Sequence, residues 1–244
     1  GVVDAGDEFW SGGNGWTPIG WNSPYSIGAF TGEFQGNGHS ILNLRIQDLQ
    51  SDYVGLFSRT SNAHIHNLRF ITPSLSLITG SENYAGVVAG RMDDSQLTNI
   101  LIENSYLQGY GFSGTVVGSY NSDLPIENIH VTGGVEGSSY VGGLFGLARG
   151  NSGPESLSIS DVSYEGYVKG QNGVAGLFEG LLNAHLETCS FKGDVNSYGS
   201  DTAGLAVVSK TSKISGCHIE ANVESKQREG GYYSFSYFTG GFLS

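Results

Sequence analysis

Four titratable residues are the first candidates for chemistry in this chain: His66 and Arg69 in the phrase "IHNLRF", and Glu127 and His130 in "IENIHV". All four occupy positions predicted to point outward, so in-register stacking of the phrases would place them on one face. Paired carboxylates are the groups that glycosidases use, and β-helix enzymes that cleave acidic polysaccharides need such a face. The intervening phrase, "LTNILI", has threonine and leucine at the same positions. We therefore predict a solvated face without a catalytic residue, and keep these four residues as a speculative binding site.

Three tryptophans, Trp10, Trp16 and Trp21, are all found in the irregular segment 1–34. Aromatic rings with a polar edge can stack on sugars, so this segment could bind a glycan. The alternative is an N-terminal cap that covers the open edge of the first coil of a repeat fold. We predict the cap and keep the sugar platform as a speculative binding site.

Metal and cofactor motifs are missing from the sequence. The carboxylates of the turns do not recur with the spacing of a calcium-binding loop. The Gly-x-Ser-x-Gly elbow of hydrolases does not occur either. We expect no metal and no cofactor, with a stray calcium ion as the remaining alternative.

A five-residue phrase built as aromatic, small, glycine, apolar, apolar occurs seven times, as in "YVGLF" and "YAGVV". Successive copies are 28 to 36 residues apart. A recurring period of this length is typical of solenoids and repeat arrays. We expect the central glycines to stack in one column; they are Gly55, Gly86, Gly114, Gly142, Gly176, Gly204 and Gly240.

A second phrase of six residues alternates with the first, and its first, fourth and sixth positions are almost all apolar. Its third position is asparagine in the first four copies, at Asn43, Asn67, Asn99 and Asn128. We expect these amides to form a ladder at one corner of the repeat.

The phrases alternate apolar with other residues and are rich in Val, Ile, Tyr and Phe, which predicts strands. Strands this short bury too little apolar area alone, so equivalent strands of successive repeats must stack on one another. Parallel crossovers are right-handed in nearly all proteins. We therefore predict an all-β, right-handed parallel β-solenoid (β-helix) of about seven coils. The chain would form a single domain, with the cap at 1–34 and the repeats at 35–244, and the aromatic residues of the glycine phrase would stack.

Two cysteines, Cys189 and Cys217, lie 28 residues apart at the same position of the second phrase. They should therefore be neighbours on adjacent coils. Strands about 4.8 Å apart allow a disulfide bond. They could equally stack in the core as small apolar residues.

Composition limits the partners. The formal net charge of −12 and the scattered basic residues exclude a nucleic-acid partner. No apolar run approaches the ~20 residues of a membrane-spanning helix, so membrane insertion is not expected. An acidic surface rich in Tyr, Ser, Asn and Gly is common in secreted bacterial proteins, and we expect an extracellular or bacterial cell-surface location.

The residues "WTPIG", "FTGEFQGNGHSILNL" and "YVGLF", followed by the recurring phrases, resemble the GLUG-repeat family of bacterial extracellular proteins. The resemblance spans roughly 16–244 and weakens over 202–244. Such repeats occur in large secreted and surface proteins, including haemagglutinin-like adhesins and the non-catalytic parts of IgA-specific metallopeptidases. The resemblance implies a β-solenoid surface module without a catalytic motif, and the His-Glu-x-x-His motif of metallopeptidases does not occur here.

These observations predict a non-enzymatic extracellular adhesin, surface-display or spacer module that binds a glycan or a surface protein. One alternative is a polysaccharide-active β-helix lyase or hydrolase, or a carbohydrate-binding module. Another is a self-assembling fibre subunit, because the aromatic segment 230–244 lacks charge and could join molecules end to end through the C-terminal coil.

Overall fold

The computed structural model describes residues 2–4, 14–20, 28–47, 51–77 and 83–225. These residues form twenty-one strands and no helix, and every pair of strands in the sheet is parallel. No helix among them is long and apolar enough to cross a membrane. The prediction of an all-β parallel β-solenoid is confirmed, with about six turns in place of about seven.

The strand bounds show how the coils are built. The first strands are β1 (Val2–Asp4), β2 (Phe30–Gln35), β3 (Ser40–Leu42), β4 (Arg45–Gln47), β5 (Tyr53–Val54), β6 (Phe57–Ile71) and β7 (Ser74–Ser76). The middle strands are β8 (Tyr84–Ala85), β9 (Ala89–Asp93), β10 (Gln96–Gln108), β11 (Phe112–Gly114), β12 (Val117–Asn121), β13 (Ile126–Glu136), β14 (Ser139–Gly142) and β15 (Phe145–Arg149). The last strands are β16 (Leu157–Ala175), β17 (Phe178–Leu182), β18 (Ala184–Ala203), β19 (Ala206–Lys210), β20 (Lys213–Ser215) and β21 (His218–Ser225).

The core is a stack of identical apolar positions. The first residue of the second phrase forms one such column, whose members Ile65, Leu97, Ile126, Ile159 and Leu186 are completely buried. Full burial of an aliphatic side chain contributes roughly 1.5–3 kcal/mol. Because every coil repeats this burial on its neighbours, the coils stabilise one another and the short strands become stable.

One corner of the solenoid requires a left-handed backbone. The third residue of the second phrase has a φ between 53° and 62° in six successive coils, at Asn67, Asn99, Asn128, Asp161, Thr188 and Gly216. Asparagine tolerates this conformation better than most residues. Asn99 donates from Nδ2 to Oδ1 of Asn67 at 2.9 Å, and Asn128 donates to Asn99 at 2.8 Å. These amides form a ladder along the corner.

Asn43 does not belong to this ladder, contrary to the prediction. Strand β3 pairs Ser40 with Arg69, so Asn43 comes to lie opposite Thr72, one corner further along the coil. Both residues have a positive φ, and the Thr72 hydroxyl donates to Asn43 Oδ1 at 2.5 Å. The phrase "ILNLRI" matches "IHNLRF" in sequence, but β2 already occupies the strand position beneath Ile65.

The glycine column also differs from the prediction. Gly55, Gly86, Gly114 and Gly142 follow one another in the stack, but Gly142 pairs with Ala175, which pairs with Ala203. Gly176 and Gly204 therefore lie one residue later, level with Gly143. The two adjacent glycines of "YVGGLF" allow either alignment in sequence. Gly240 lies outside the described residues.

The aromatic residues of the glycine phrase stack along one side. The ring centroids of Tyr53 and Tyr84 are 5.3 Å apart, those of Tyr84 and Phe112 are 5.3 Å apart, and those of Phe112 and Tyr140 are 4.5 Å apart. The rings are parallel within 12°. This column contributes contacts between coils in addition to the backbone ladder.

The two cysteines are bonded to each other between the last described coils. Their Cα atoms are 4.4 Å apart, and the Cys189 side chain is buried. Of the two possibilities left open by the sequence, the structure therefore contains the disulfide bond.

The N-terminal residues that the structure describes lie against the first coil. The Trp16 amide donates to Arg45 O at 2.7 Å, and the Ile19 amide donates to Leu56 O at 2.8 Å. Residues 14–20 thus satisfy backbone groups that an open edge would expose. The boundary between a cap at 1–34 and repeats at 35–244 stays a prediction. The segment 230–244, with its predicted self-association, lies outside the described residues.

Candidate functional site

The four titratable residues singled out in the sequence lie on two columns that flank the amide ladder. Along the first column His66 pairs with Thr98, which pairs with Glu127. Along the second, Arg69, Leu101 and His130 follow one another. One coil therefore separates the first pair from the second, as the sequence indicates.

Arg69 and His130 contact different neighbours. Arg69 donates from Nε to Glu103 Oε2 at 2.5 Å. His130 Nδ1 is 2.8 Å from Ser163 Oγ. Leu101 lies between them and is 36% exposed. The structure therefore does not join Arg69, Glu127 and His130 into one group around a common point.

His66 belongs instead to a cluster with His64 and Glu33. The two histidines are two residues apart on β6, so both side chains leave the same face of the strand. On the adjacent strand β2, Glu33 pairs directly with His64. His66 Nε2 is 2.8 Å from Glu33 Oε1, and one ligand atom from each residue lies within 4.8 Å of the others.

The surroundings order both imidazoles. The rings are stacked with centroids 4.0 Å apart and planes within 8°. His64 Nε2 is 3.2 Å from the Thr98 hydroxyl. Burial lowers the pKa of His64, the neighbouring His66 lowers it further, and the negative charge of Glu33 opposes both. The side chain of His66 is 12% exposed, whereas that of Glu33 is 65% exposed.

The amide ladder ends on this cluster. Asn67 Nδ2 donates to Gln35 Oε1 at 2.8 Å and lies 3.1 Å from His66 Nδ1. Because Nδ1 then accepts, the neutral ring of His66 carries its proton on Nε2 and donates it to Glu33. The ladder thereby sets the tautomer of His66.

Two imidazoles and a carboxylate are a donor set that can hold a metal ion. The sequence contains a hint of it, since "HIH" places two histidines on one face of a strand. The third member was not predictable, because the pairing of β2 with β6 is not evident from the sequence. The prediction that no metal binds did not consider this cluster.

The tryptophans are only partly placed. Trp16 is half-buried, packs against the core and donates from Nε1 to Leu56 O at 3.2 Å. Trp10 and Trp21 lie outside the described residues, so a sugar-stacking platform built from all three stays a prediction.

A buried carboxyl group that sequence reasoning missed lies on β17. Glu179 is 6% exposed, and burial, followed by the charge of Asp201, raises its pKa to about 7. The preceding coils have glycine at this position, namely Gly90, Gly118 and Gly146. A single glutamate in the apolar run "GLFEGLL" was the signal that could have revealed it.

Comparison with known proteins gives a partial similarity. Halomucin of Haloquadratum walsbyi (strain DSM 16790 / HBSQ001) is 32% identical to the chain over 146 residues, which are 60% of this chain and 1% of Halomucin. The chain thus spans a very small part of that relative. No protein-family model matches, so membership of the GLUG-repeat family stays a prediction. No solved structure matches significantly.

Proposed function

We propose that this chain is a non-enzymatic extracellular module of a longer protein, which acts as a rigid spacer or display surface and binds a glycan or protein partner. The observation that carries the proposal is how the outer charges are used. Several of them pair across neighbouring coils, and among the residues that the structure describes only Glu33, His64 and His66 bring three potential ligand side chains together.

Four ion pairs illustrate this use of charge. Each joins a basic side chain to an acidic one on an adjacent coil. The pairs are Arg59–Asp93 at 2.8 Å, Arg69–Glu103 at 2.5 Å, Lys169–Glu136 at 3.5 Å and Lys192–Glu220 at 3.6 Å. Exposed pairs contribute little stability singly, but they favour the correct register of neighbouring coils. This is the behaviour of a surface that maintains a long, regular shape.

Two further observations support an extracellular location within a longer chain. Disulfide bonds persist mainly in oxidising compartments, and Cys189 and Cys217 form one. The similarity to 1% of Halomucin fits a module that forms a small part of a long protein.

A polymer-degradation assay tests the non-enzymatic part of the proposal. The full chain is incubated with pectin, alginate and similar acidic polysaccharides, and new chain ends are counted. We expect none. Depolymerisation that disappears in Glu127→Gln and His130→Gln would overturn the proposal and establish the enzyme alternative.

A binding assay tests the display part. The chain is applied to immobilised glycans and extracellular proteins, and we expect saturable binding to at least one of them. Glu127→Lys and His130→Glu alter the two columns beside the amide ladder and test whether the ligand binds there. Arg59→Glu alters a different part of the coil and is the control. Binding to neither class of ligand would reduce the proposal to a spacer alone and contradict its binding function.

A further inference from the structure

Beyond the proposed function, we infer that Glu33, His64 and His66 form a binding site for a divalent transition-metal ion, with zinc as the ion for which the donor set is suited. Zinc binds imidazole nitrogen and carboxylate oxygen, and sites with two histidines and one glutamate keep a fourth position open for water or another ligand. Calcium and magnesium instead prefer sets made of oxygen atoms.

The backbone places the three ligands without any change of fold. His64 and His66 project from one face of β6, and the register of β2 sets Glu33 opposite His64. Around tetrahedral zinc, ligand atoms stand about 3.3 Å apart, because each bond is about 2.0–2.1 Å long. His66 Nε2 and Glu33 Oε1 are 2.8 Å apart, and the ligand atoms of all three residues lie within 4.8 Å of one another. Because the two rings are stacked and nearly parallel, they must turn out of the stack for their in-plane lone pairs to point at one ion, which side-chain rotation allows without moving the backbone.

The two imidazoles are already ordered before an ion binds. They stack on each other at 4.0 Å, and His64 contacts the Thr98 hydroxyl. Ordering a free side chain costs about 0.5–1.5 kcal/mol on binding, and this cost is reduced here. Binding must still tilt the two rings out of their stack and draw in the exposed carboxylate of Glu33.

The amide ladder adjusts to the ion. When Nε2 of His66 binds a metal, the remaining proton of the neutral ring is on Nδ1, which then needs an acceptor. Asn67 now presents Nδ2 to Nδ1, because its Oδ1 accepts from Asn99. Turning over the amides of the ladder supplies Asn67 Oδ1 as that acceptor, and Gln35, which now accepts from Asn67, must turn with them and donate through Nε2. The next residue of the column, Asp161, has a carboxylate that can accept from Asn128 in the reversed direction.

Titration calorimetry with zinc chloride on the full chain, free of any polyhistidine tag, tests the site. We expect one ion per chain. His64→Gln and His66→Gln should each weaken binding at least tenfold, and Glu33→Gln should weaken it less. Because Glu33 is mostly exposed, that third variant keeps the test valid if a histidine variant does not fold.

His185→Gln is the matched control. His185 Nε2 is 3.1 Å from Glu187 Oε1, a histidine–glutamate pair outside the one three-ligand cluster found among the described residues. This variant should keep the zinc affinity of the parent. Absence of saturable binding would overturn the proposal. So would an affinity that is unchanged in both His64→Gln and His66→Gln, or an equal loss in the control.

Asn67→Asp separates coordination through His66 from a merely structural role. Aspartate tolerates the left-handed backbone, as Asp161 does in the same column with a φ of 53°. A carboxylate at position 67 accepts from Nδ1 without any reversal of the ladder, so zinc affinity should rise, on the order of tenfold. An unchanged or weaker affinity would overturn the coupling between the ladder and the ion.

Discussion

At the scale of single residues, two positions on neighbouring coils show how tightly the coils approach. At Gly142 backbone atoms of the same coil and of the next coil occupy the space that a side chain would need. Glu179, one coil later, places a carboxyl group where earlier coils have glycine. Stacking of the coils requires glycine at position 142. Glu179 is tolerated, at a cost in folding free energy that depends on whether its carboxyl group is protonated.

Gly142→Val should destabilise the protein by about 3 kcal/mol or more, in the upper range for overpacked sites. A Cβ atom at this position would lie 2.0 Å from Phe145 O and 2.8 Å from the Glu179 amide nitrogen, both of which are backbone atoms that cannot rotate away. Urea unfolding measures the loss. Ser158→Val, on the exposed face of β16, is the control and should change stability little. Unfolding of Gly142→Val at the parent's midpoint would show that the close approach is absent.

Glu179→Gln should change how stability depends on pH. The folded-state pKa of about 7 lies above the ordinary value of 4.5, so between these pH values the folded state keeps a proton that the unfolded state releases. The wild-type free energy of unfolding therefore falls as pH rises from about 4.5 to about 7 and is then level. The free energy of unfolding of Glu179→Gln should not show this decrease.

The comparison is made by denaturant unfolding at several pH values. Across this window the free energy of unfolding of the variant should rise relative to that of the wild type by roughly 3 kcal/mol in total, since each pKa unit is worth about 1.4 kcal/mol. Parallel curves for the two proteins would show that Glu179 is solvated in the folded state.

At the scale of the coil, much was predictable because each strand repeats its neighbour. The second phrase indicated both the apolar column at Ile65 and the amide ladder at the corner of Asn67. The left-handed backbone of that corner was not predicted. The offset of Asn43 was not predictable, because it depends on which strand lies beneath β6. The offset of Gly176 was ambiguous for a different reason, since Gly142 and Gly143 fit equally well.

The disulfide bond should account for a large part of the stability of the last described coils. It closes a loop of 28 residues between Cys189 and Cys217, and the chain-entropy estimate for such a loop is about 3–4 kcal/mol. Cys189→Ala combined with Cys217→Ala should lose about this amount in urea unfolding. A reducing agent should destabilise the parent and leave the double variant unchanged. Equal stability of parent and double variant would contradict the prediction.

At the scale of the whole molecule, the fold followed from repetition and the candidate metal site did not. Parallel stacking needs only that each coil resemble the next, and the recurrence of the two alternating phrases shows that resemblance in the sequence. The cluster of Glu33, His64 and His66 breaks the repetition. Among the described coils no other has histidine at both places, since His185 recurs at the place of His64 but Glu187 occupies that of His66. Such a site depends on the register of one particular pair of strands, which sequence periodicity does not encode.

The charge of the whole chain predicts a dependence on salt. A formal net charge of −12 spread along stacked coils repels itself in the folded state, and unfolding relieves that repulsion by letting the charges separate. Added salt shortens the range of the repulsion, to about 3 Å at 1 M. At pH 7, therefore, the melting temperature should rise by several degrees between low salt and about 1 M sodium chloride. Near the sequence pI of 4.7 the net charge vanishes, and the same addition of salt should raise the melting temperature much less.

Scanning calorimetry at both pH values measures the two increments in melting temperature. Equal increments would mean that salt acts on the hydrophobic core or on a specific ion site rather than by screening, and the ion pairs between coils would then already balance the acidic surface.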